Sequence, residues 1–186
     1  LVASPRAMEA WKQRKTPVSN YYADFGNWLP IMEAYEARKP AYFGTPAVNL
    51  VLALEKSLEI ILREGMDHRF ARHRKIGKAF REALKAAGIK MIPVAGKSAN
   101  TLSAPFYPEG VDGKTFLQRV NREGIILAGG LLADIKGSYF RVGHMGAVNH
   151  NDMLSTIGAI ETALHQTGYP VEPGTCLKAA QKALEG

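Results

Sequence analysis

The sequence has 186 residues, of which 46% are hydrophobic and 22% are charged, and its formal net charge is +7 at pH 7. This composition is ordinary for a globular protein. No apolar run is long enough to cross a bilayer, and the single cysteine, Cys176, excludes a disulfide framework within one chain. We therefore expect an intracellular protein with no membrane partner.

The excess positive charge lies mostly in one helical stretch. A basic patch of this kind can bind phosphate backbones, but few aromatic residues accompany it, and Asp67 and Glu82 interrupt it. We interpret it as a solvated helix face, so we do not expect nucleic acid as a partner. The basic residues concerned are Arg69, Arg72, Arg74, Lys75, Lys78, Arg81 and Lys85.

The chain opens with apolar, strand-like residues and without the pattern of a signal peptide, which leads us to expect that it continues a longer protein. Ser4 and Pro5 predict a helix start, and a second, short helix is predicted around 28–36. Thr45 and Pro46 predict the start of the strongest helix, which Gly65 ends. Its apolar residues extend beyond one face, so we expect it to join two domains or to lie in a subunit interface.

After residue 65 the order of predicted elements is helix, strand, helix, strand, strand, helix, followed by a tail helix. This order favours a small α/β domain with helices over one face of a mainly antiparallel sheet. We predict three parts: 1–65, with the interface helix 45–65; the small domain 66–168; and a tail helix within 169–186.

Arg141 stands inside a predicted strand, between Phe140 and Val142. Side chains alternate along a strand, so Phe140 and Val142 suit the helix-covered face and Arg141 faces the other way. There its guanidinium could bind a carboxylate or phosphate through two parallel N–H groups. The alternative is a structural ion pair with Asp134 or Glu123.

The segment YFGTP, residues 42–46, is the second candidate anion site. Thr45 offers a hydroxyl beside the unpaired N–H groups of a helix start, Tyr42 could add a phenolic O–H, and Gly44 permits close backbone approach. Simple capping of the helix by Thr45 is the alternative. The histidine spacing does not suit a metal site, so none is predicted.

The segment LAGGLLADIKGSYFRVGHMG, with YFGTP about a hundred residues earlier, resembles the C-terminal part of class V aminotransferases, in particular the alanine–glyoxylate and serine–pyruvate group. The resemblance implies the fold type I architecture of enzymes that use pyridoxal 5'-phosphate (PLP): a large cofactor-binding domain, of which 1–65 would be the last part, and a small C-terminal domain. It also implies a homodimer with active sites between two subunits. It assigns the substrate's α-carboxylate to Arg141, and the cofactor phosphate of the neighbouring subunit to Tyr42 and Thr45.

The resemblance places the lysine that forms the Schiff base ahead of Leu1, so we expect no catalytic residue in this chain. The expected substrates are an amino acid, alanine or serine, and a 2-oxo acid, glyoxylate or pyruvate. Two alternatives stay open at this point. One is a non-enzymatic α/β module that binds an anion or a partner, and the other is a cysteine desulfurase-type enzyme, which would need a reactive Cys176.

Overall fold

The structure, a computed structural model, describes residues 2–185 and divides into two compact units between Ser57 and Leu58. The predicted division into 1–65, 66–168 and 169–186 stays a prediction. In chain order the elements are α1 Pro5–Lys12, α2 Phe25–Glu36, α3 Val48–Glu64, α4 Met66–Ala86, β1 Leu102–Ser103, α5 Gly113–Arg122, β2 Ala128–Gly129, β3 Phe140–Gly143, α6 His150–Gln166 and α7 Thr175–Glu185.

The first unit is built from short elements and an aromatic cluster. Helix α1 begins as predicted, because the Ser4 hydroxyl accepts a hydrogen bond from the backbone N–H of Ala7 at 3.2 Å and Pro5 occupies the first turn. The ring of Phe43 contacts that of Trp28 edge-on, with centroids 4.8 Å apart. No residue of α1 or α2 is buried.

Helix α3 begins later than the sequence predicts. The prediction that Thr45 caps it is wrong, because the carbonyl of Ala47 accepts the first helical hydrogen bond, from Val51, and the helix starts at Val48. Its apolar residues remain largely exposed, with Leu50 at 71% and Leu62 at 76%. The described residues therefore do not cover this helix, and its place in an interface stays a prediction.

The second unit contains the core. Strand β3 lies between β1 and β2 and is antiparallel to both. Phe140 and Val142 of β3 are buried in the same cluster as residues of α4, α5 and α6. The expected architecture of this unit is present: α4, α5 and α6 share one core with a single face of a small antiparallel sheet. The largest fully buried side chains include Phe80, Phe116, Phe140, Ile76, Leu84, Met153, Ile157, Ile160 and Leu164.

The strands are shorter than the sequence patterns suggest. The segment TLSAPFYP, residues 101–108, alternates in the sequence like a strand, but it pairs regularly only at Leu102 and Ser103. Beyond them only isolated bridges form, at Pro105 and Phe106. Proline has no N–H to donate to a neighbouring strand, which explains why the ladder is interrupted. The segment IILAGG, residues 125–130, likewise pairs only at Ala128 and Gly129.

Candidate functional site

The strand that carries Arg141 has the predicted alternation. Phe140 and Val142 are 0% and 2% exposed, whereas Arg141 between them is partly exposed. Arg141 pairs with Ala128 of β2, so its backbone is fixed in the sheet. The alternation therefore directs the guanidinium away from the core, as the sequence predicts.

The guanidinium of Arg141 is held at one nitrogen. Its Nε donates a hydrogen bond to the carbonyl oxygen of Gly129 at 2.8 Å. Within residues 2–185, Arg141 forms no ion pair with Asp134 or Glu123, so the structural alternative is not realised. Nη1 and Nη2 have no hydrogen-bond acceptor in the same range. Two parallel N–H donors are thus available for a carboxylate.

The loop between β2 and β3 folds around a residue that sequence reasoning did not single out, Tyr139. Its phenol oxygen accepts hydrogen bonds from the backbone N–H groups of Leu131 at 2.8 Å and Leu132 at 3.0 Å. These donors, with the charge of Arg141, hold the pKa of Tyr139 below its ordinary value. The only sequence signal was the position of Tyr139 on the same face of the strand as Arg141.

Tyr42 and Thr45 lie together in the first unit. The hydroxyl oxygens Tyr42 Oη and Thr45 Oγ1 are 2.7 Å apart, and both residues are exposed. One hydroxyl donates to the other, and both could turn to donate to a bound anion. Gly44 is not required by the backbone here, because a Cβ would meet only the ring of Tyr22, at 3.5 Å.

Cys176 is placed unfavourably for covalent chemistry. It is 0% exposed, and burial, with the neighbouring Glu161, raises the pKa of its thiol to about 12. A nucleophilic thiol needs the opposite environment, one that lowers the pKa and exposes the sulfur. This burial argues against the desulfurase alternative.

Two further kinds of site are absent from residues 2–185. No helix there is both long and apolar enough to cross a membrane. In the same range no group of three or more His, Cys, Asp or Glu side chains is arranged to hold a metal ion.

Comparison with known proteins gives clear relatives, although no family model matches the chain. It is 32% identical over 184 residues to the serine–glyoxylate aminotransferase of Arabidopsis thaliana, which covers 98% of the chain and 44% of the relative. It is 37% identical over 141 residues to alanine–glyoxylate aminotransferase 1 of Saccharomyces cerevisiae, covering 74% of the chain and 36% of the relative. Among solved structures, the alanine–glyoxylate aminotransferase of a Nostoc species matches with a TM-score of 0.76 and 31% identity, over 87% of this chain and 42% of that one.

The chain belongs to the class V aminotransferases. It spans less than half the length of these relatives, 44% for the plant enzyme. The recognition from the Arg141 segment and YFGTP is therefore confirmed at the level of the family, and so is the fold class, the C-terminal portion of the aminotransferase fold. The individual roles of Arg141, Tyr42 and Thr45 stay predictions.

Proposed function

We propose that the full-length protein is a PLP-dependent aminotransferase that moves an amino group from alanine or serine to glyoxylate or pyruvate. The observation that carries the proposal is Arg141, whose guanidinium is anchored at Nε to Gly129 and has no ion pair among residues 2–185. The serine–glyoxylate and alanine–glyoxylate activities named for the relatives support these substrates.

Arg141 binds and orients the substrate in this proposal. The α-carboxylate of the amino acid, and later that of the 2-oxo acid, accepts hydrogen bonds from Nη1 and Nη2. A bidentate pair fixes direction as well as position, so the α-carbon is presented in one orientation. Because both substrates carry the same carboxylate, one arginine serves both halves of the reaction.

Tyr42 and Thr45 fit the phosphate of PLP. Their two exposed hydroxyls, 2.7 Å apart, are a donor set that matches neighbouring phosphate oxygens. When bound, PLP supplies the electron-accepting ring on which transamination depends. In the proposal the two hydroxyls bind the cofactor of the neighbouring subunit.

The homodimer belongs to the same proposal. Leu50, Leu54 and Leu58 follow one another at intervals of four residues on α3 and are 71%, 57% and 48% exposed. Apolar helix surface of this kind is stabilised when a second apolar surface removes it from water. We propose that a second copy of the protein covers this stripe.

The test is an activity panel on the full-length protein. Alanine and serine are each offered with glyoxylate and pyruvate, and the amino acid and 2-oxo acid products are quantified by chromatography. Arg141→Ala is expected to raise KM for both substrates about 100-fold, because hydrogen bonds to charged groups are lost, while the absorbance of the bound cofactor is retained.

Arg122→Ala is the matched control. It removes another arginine from the same unit, an exposed one at the end of α5, and is expected to leave KM unchanged. Absence of transfer with all four substrate pairs, or an unchanged KM in Arg141→Ala, would contradict the proposal.

A further inference from the structure

The loop between β2 and β3 is built around the phenol of Tyr139. We propose that Tyr139 is a positioning residue for Arg141: its oxygen fixes this loop, and the loop fixes the guanidinium that receives the substrate carboxylate. The inference rests on the proposed function and extends it to a residue that does not itself contact substrate.

The first link is the bond between Tyr139 and the loop. One phenol oxygen accepts two consecutive backbone N–H groups, those of Leu131 and Leu132, at 2.8 and 3.0 Å. Tyr139 is 3% exposed, and both hydrogen bonds are part-buried. Without the phenol, two backbone donors would lose their partner, which costs more than an exposed hydrogen bond.

The second link is close packing at Gly130. A Cβ at this position would lie 2.5 Å from both the Tyr139 ring and the carbonyl oxygen of Lys136, so only glycine fits. The loop also closes on itself, because Ile135 N–H donates to Leu132 and Ser138 N–H donates to Ile135. The loop is therefore packed against the aromatic ring as well as bonded to its oxygen.

The third link joins the loop to Arg141. Gly129, which accepts the hydrogen bond from Arg141 Nε at 2.8 Å, directly precedes Gly130. Gly129 is also paired with Phe140, between Tyr139 and Arg141 in the chain. The carbonyl that holds the guanidinium thus belongs to the segment that Tyr139 holds.

This arrangement prepares the arginine before substrate arrives. An arginine side chain has several rotatable bonds and loses entropy when a ligand fixes it. Holding Nε on Gly129 removes part of that loss in advance, provided that Gly129 itself does not move. A substitution that loosens the loop should therefore weaken carboxylate capture and leave the chemical step nearly unchanged.

The experiment uses Tyr139→Phe in the full-length protein, since this change deletes one oxygen and keeps the ring that packs on Gly130. KM for both the amino acid and the 2-oxo acid is expected to rise about tenfold, with kcat changed less than about twofold. Hydrogen exchange of the Leu131 and Leu132 amides, measured without substrate, is expected to quicken about tenfold.

Tyr169→Phe is the matched control. Its phenol also bonds to the backbone, donating to the carbonyl of Ala87 at 2.7 Å, in a different part of the second unit. It should change neither KM nor exchange at Leu131 and Leu132.

The outcomes separate the inference from the proposed function. Unchanged exchange in Tyr139→Phe, or faster exchange with unchanged KM, overturns the inference while an effect of Arg141→Ala leaves the carboxylate role intact. If Arg141→Ala itself leaves KM unchanged, the carboxylate role fails and the inference fails with it.

Discussion

The two compact units differ in how completely they bury their own apolar residues. In the unit up to Ser57, α1 and α2 bury no side chain, and Leu50 and Leu54 of α3 are more than half exposed. In the unit from Leu58 onwards, apolar residues of α4, α5, α6 and β3 form one continuous core. The second unit therefore has a core of its own, whereas the first leaves most of its apolar side chains at least partly exposed.

The two candidate anion sites, one in each unit, differ in the same way. Arg141 is attached to a strand whose other face is the core, and its guanidinium is held by a packed loop. Tyr42 and Thr45 are exposed and bond to each other. We infer that this chain alone positions the guanidinium of Arg141, whereas the phosphate site proposed at Tyr42 and Thr45 needs further contacts.

The largest effect is predicted for the free energy of unfolding, when a buried leucine of α4 is compared with an exposed leucine of α3. Leu84→Ala in α4 removes a side chain that is 0% exposed and should lower the free energy of unfolding by about 3 kcal/mol, through lost burial and a cavity. Leu54→Ala in α3, where the side chain is 57% exposed, should cost less than about 0.5 kcal/mol. Urea unfolding of the 186-residue chain measures both.

Repeating Leu54→Ala in the full-length protein sharpens the comparison. If a second copy covers α3, the substitution should now weaken self-association, which sedimentation at a series of concentrations measures. Similar losses for Leu54→Ala and Leu84→Ala in the 186-residue chain would show that the two units do not differ as described.

We expect His144 to make the second unit less stable in acid. Its ring stacks on Phe80, Nε2 lies 2.9 Å from Ser103 Oγ, and Nδ1 has no hydrogen-bond partner among the described residues. Burial, and then the charge of Arg81, lowers the pKa of His144 from 6.5 to about 4. The folded state therefore keeps the ring neutral where the unfolded chain would protonate it.

The direction in which stability changes with pH follows from proton binding. Below pH 6.5 the unfolded chain binds a proton that the folded one does not, so stability falls as the pH drops from about 6.5 towards 4. Between pH 7.5 and pH 5 the loss should be about 2 kcal/mol, measured by urea unfolding. His144→Gln should flatten this slope, and an unchanged slope would contradict the assignment to His144.

The sequence predicts the features that depend on local patterns. The cap at Ser4 and the alternation around Arg141 need only residue types and spacing. The anchoring of Arg141 to Gly129 and of the loop to Tyr139 could not be predicted, because these bonds depend on how a glycine-rich loop folds back.

The prediction that Thr45 caps α3 was wrong because the sequence does not show which hydrogen-bonding partner this hydroxyl takes. Its hydroxyl bonds to Tyr42 rather than to the helix, whose start is set by Ala47. A residue type that suits two hydrogen-bonding partners does not by itself reveal which partner it takes.

The smallest effect is predicted for substitutions in the hydroxyl pair of the first unit. In the full-length protein, Thr45→Val and Tyr42→Phe each remove one oxygen of the pair that lies 2.7 Å apart. Each should weaken PLP retention about fivefold, the effect of one lost hydrogen bond, with KM for the 2-oxo acid unchanged at saturating cofactor. Equilibrium dialysis, followed by cofactor absorbance, measures retention.

Thr16→Val is a suitable control, because it removes the same oxygen from an exposed threonine of the first unit outside the YFGTP segment. Since phosphate affinity and carboxylate affinity are proposed to arise in different units, the two kinds of substitution should act on different ligands. A rise in KM for the 2-oxo acid in Thr45→Val, with PLP retention unchanged, would contradict that separation, because a hydroxyl of the first unit would then be acting on the carboxylate substrate.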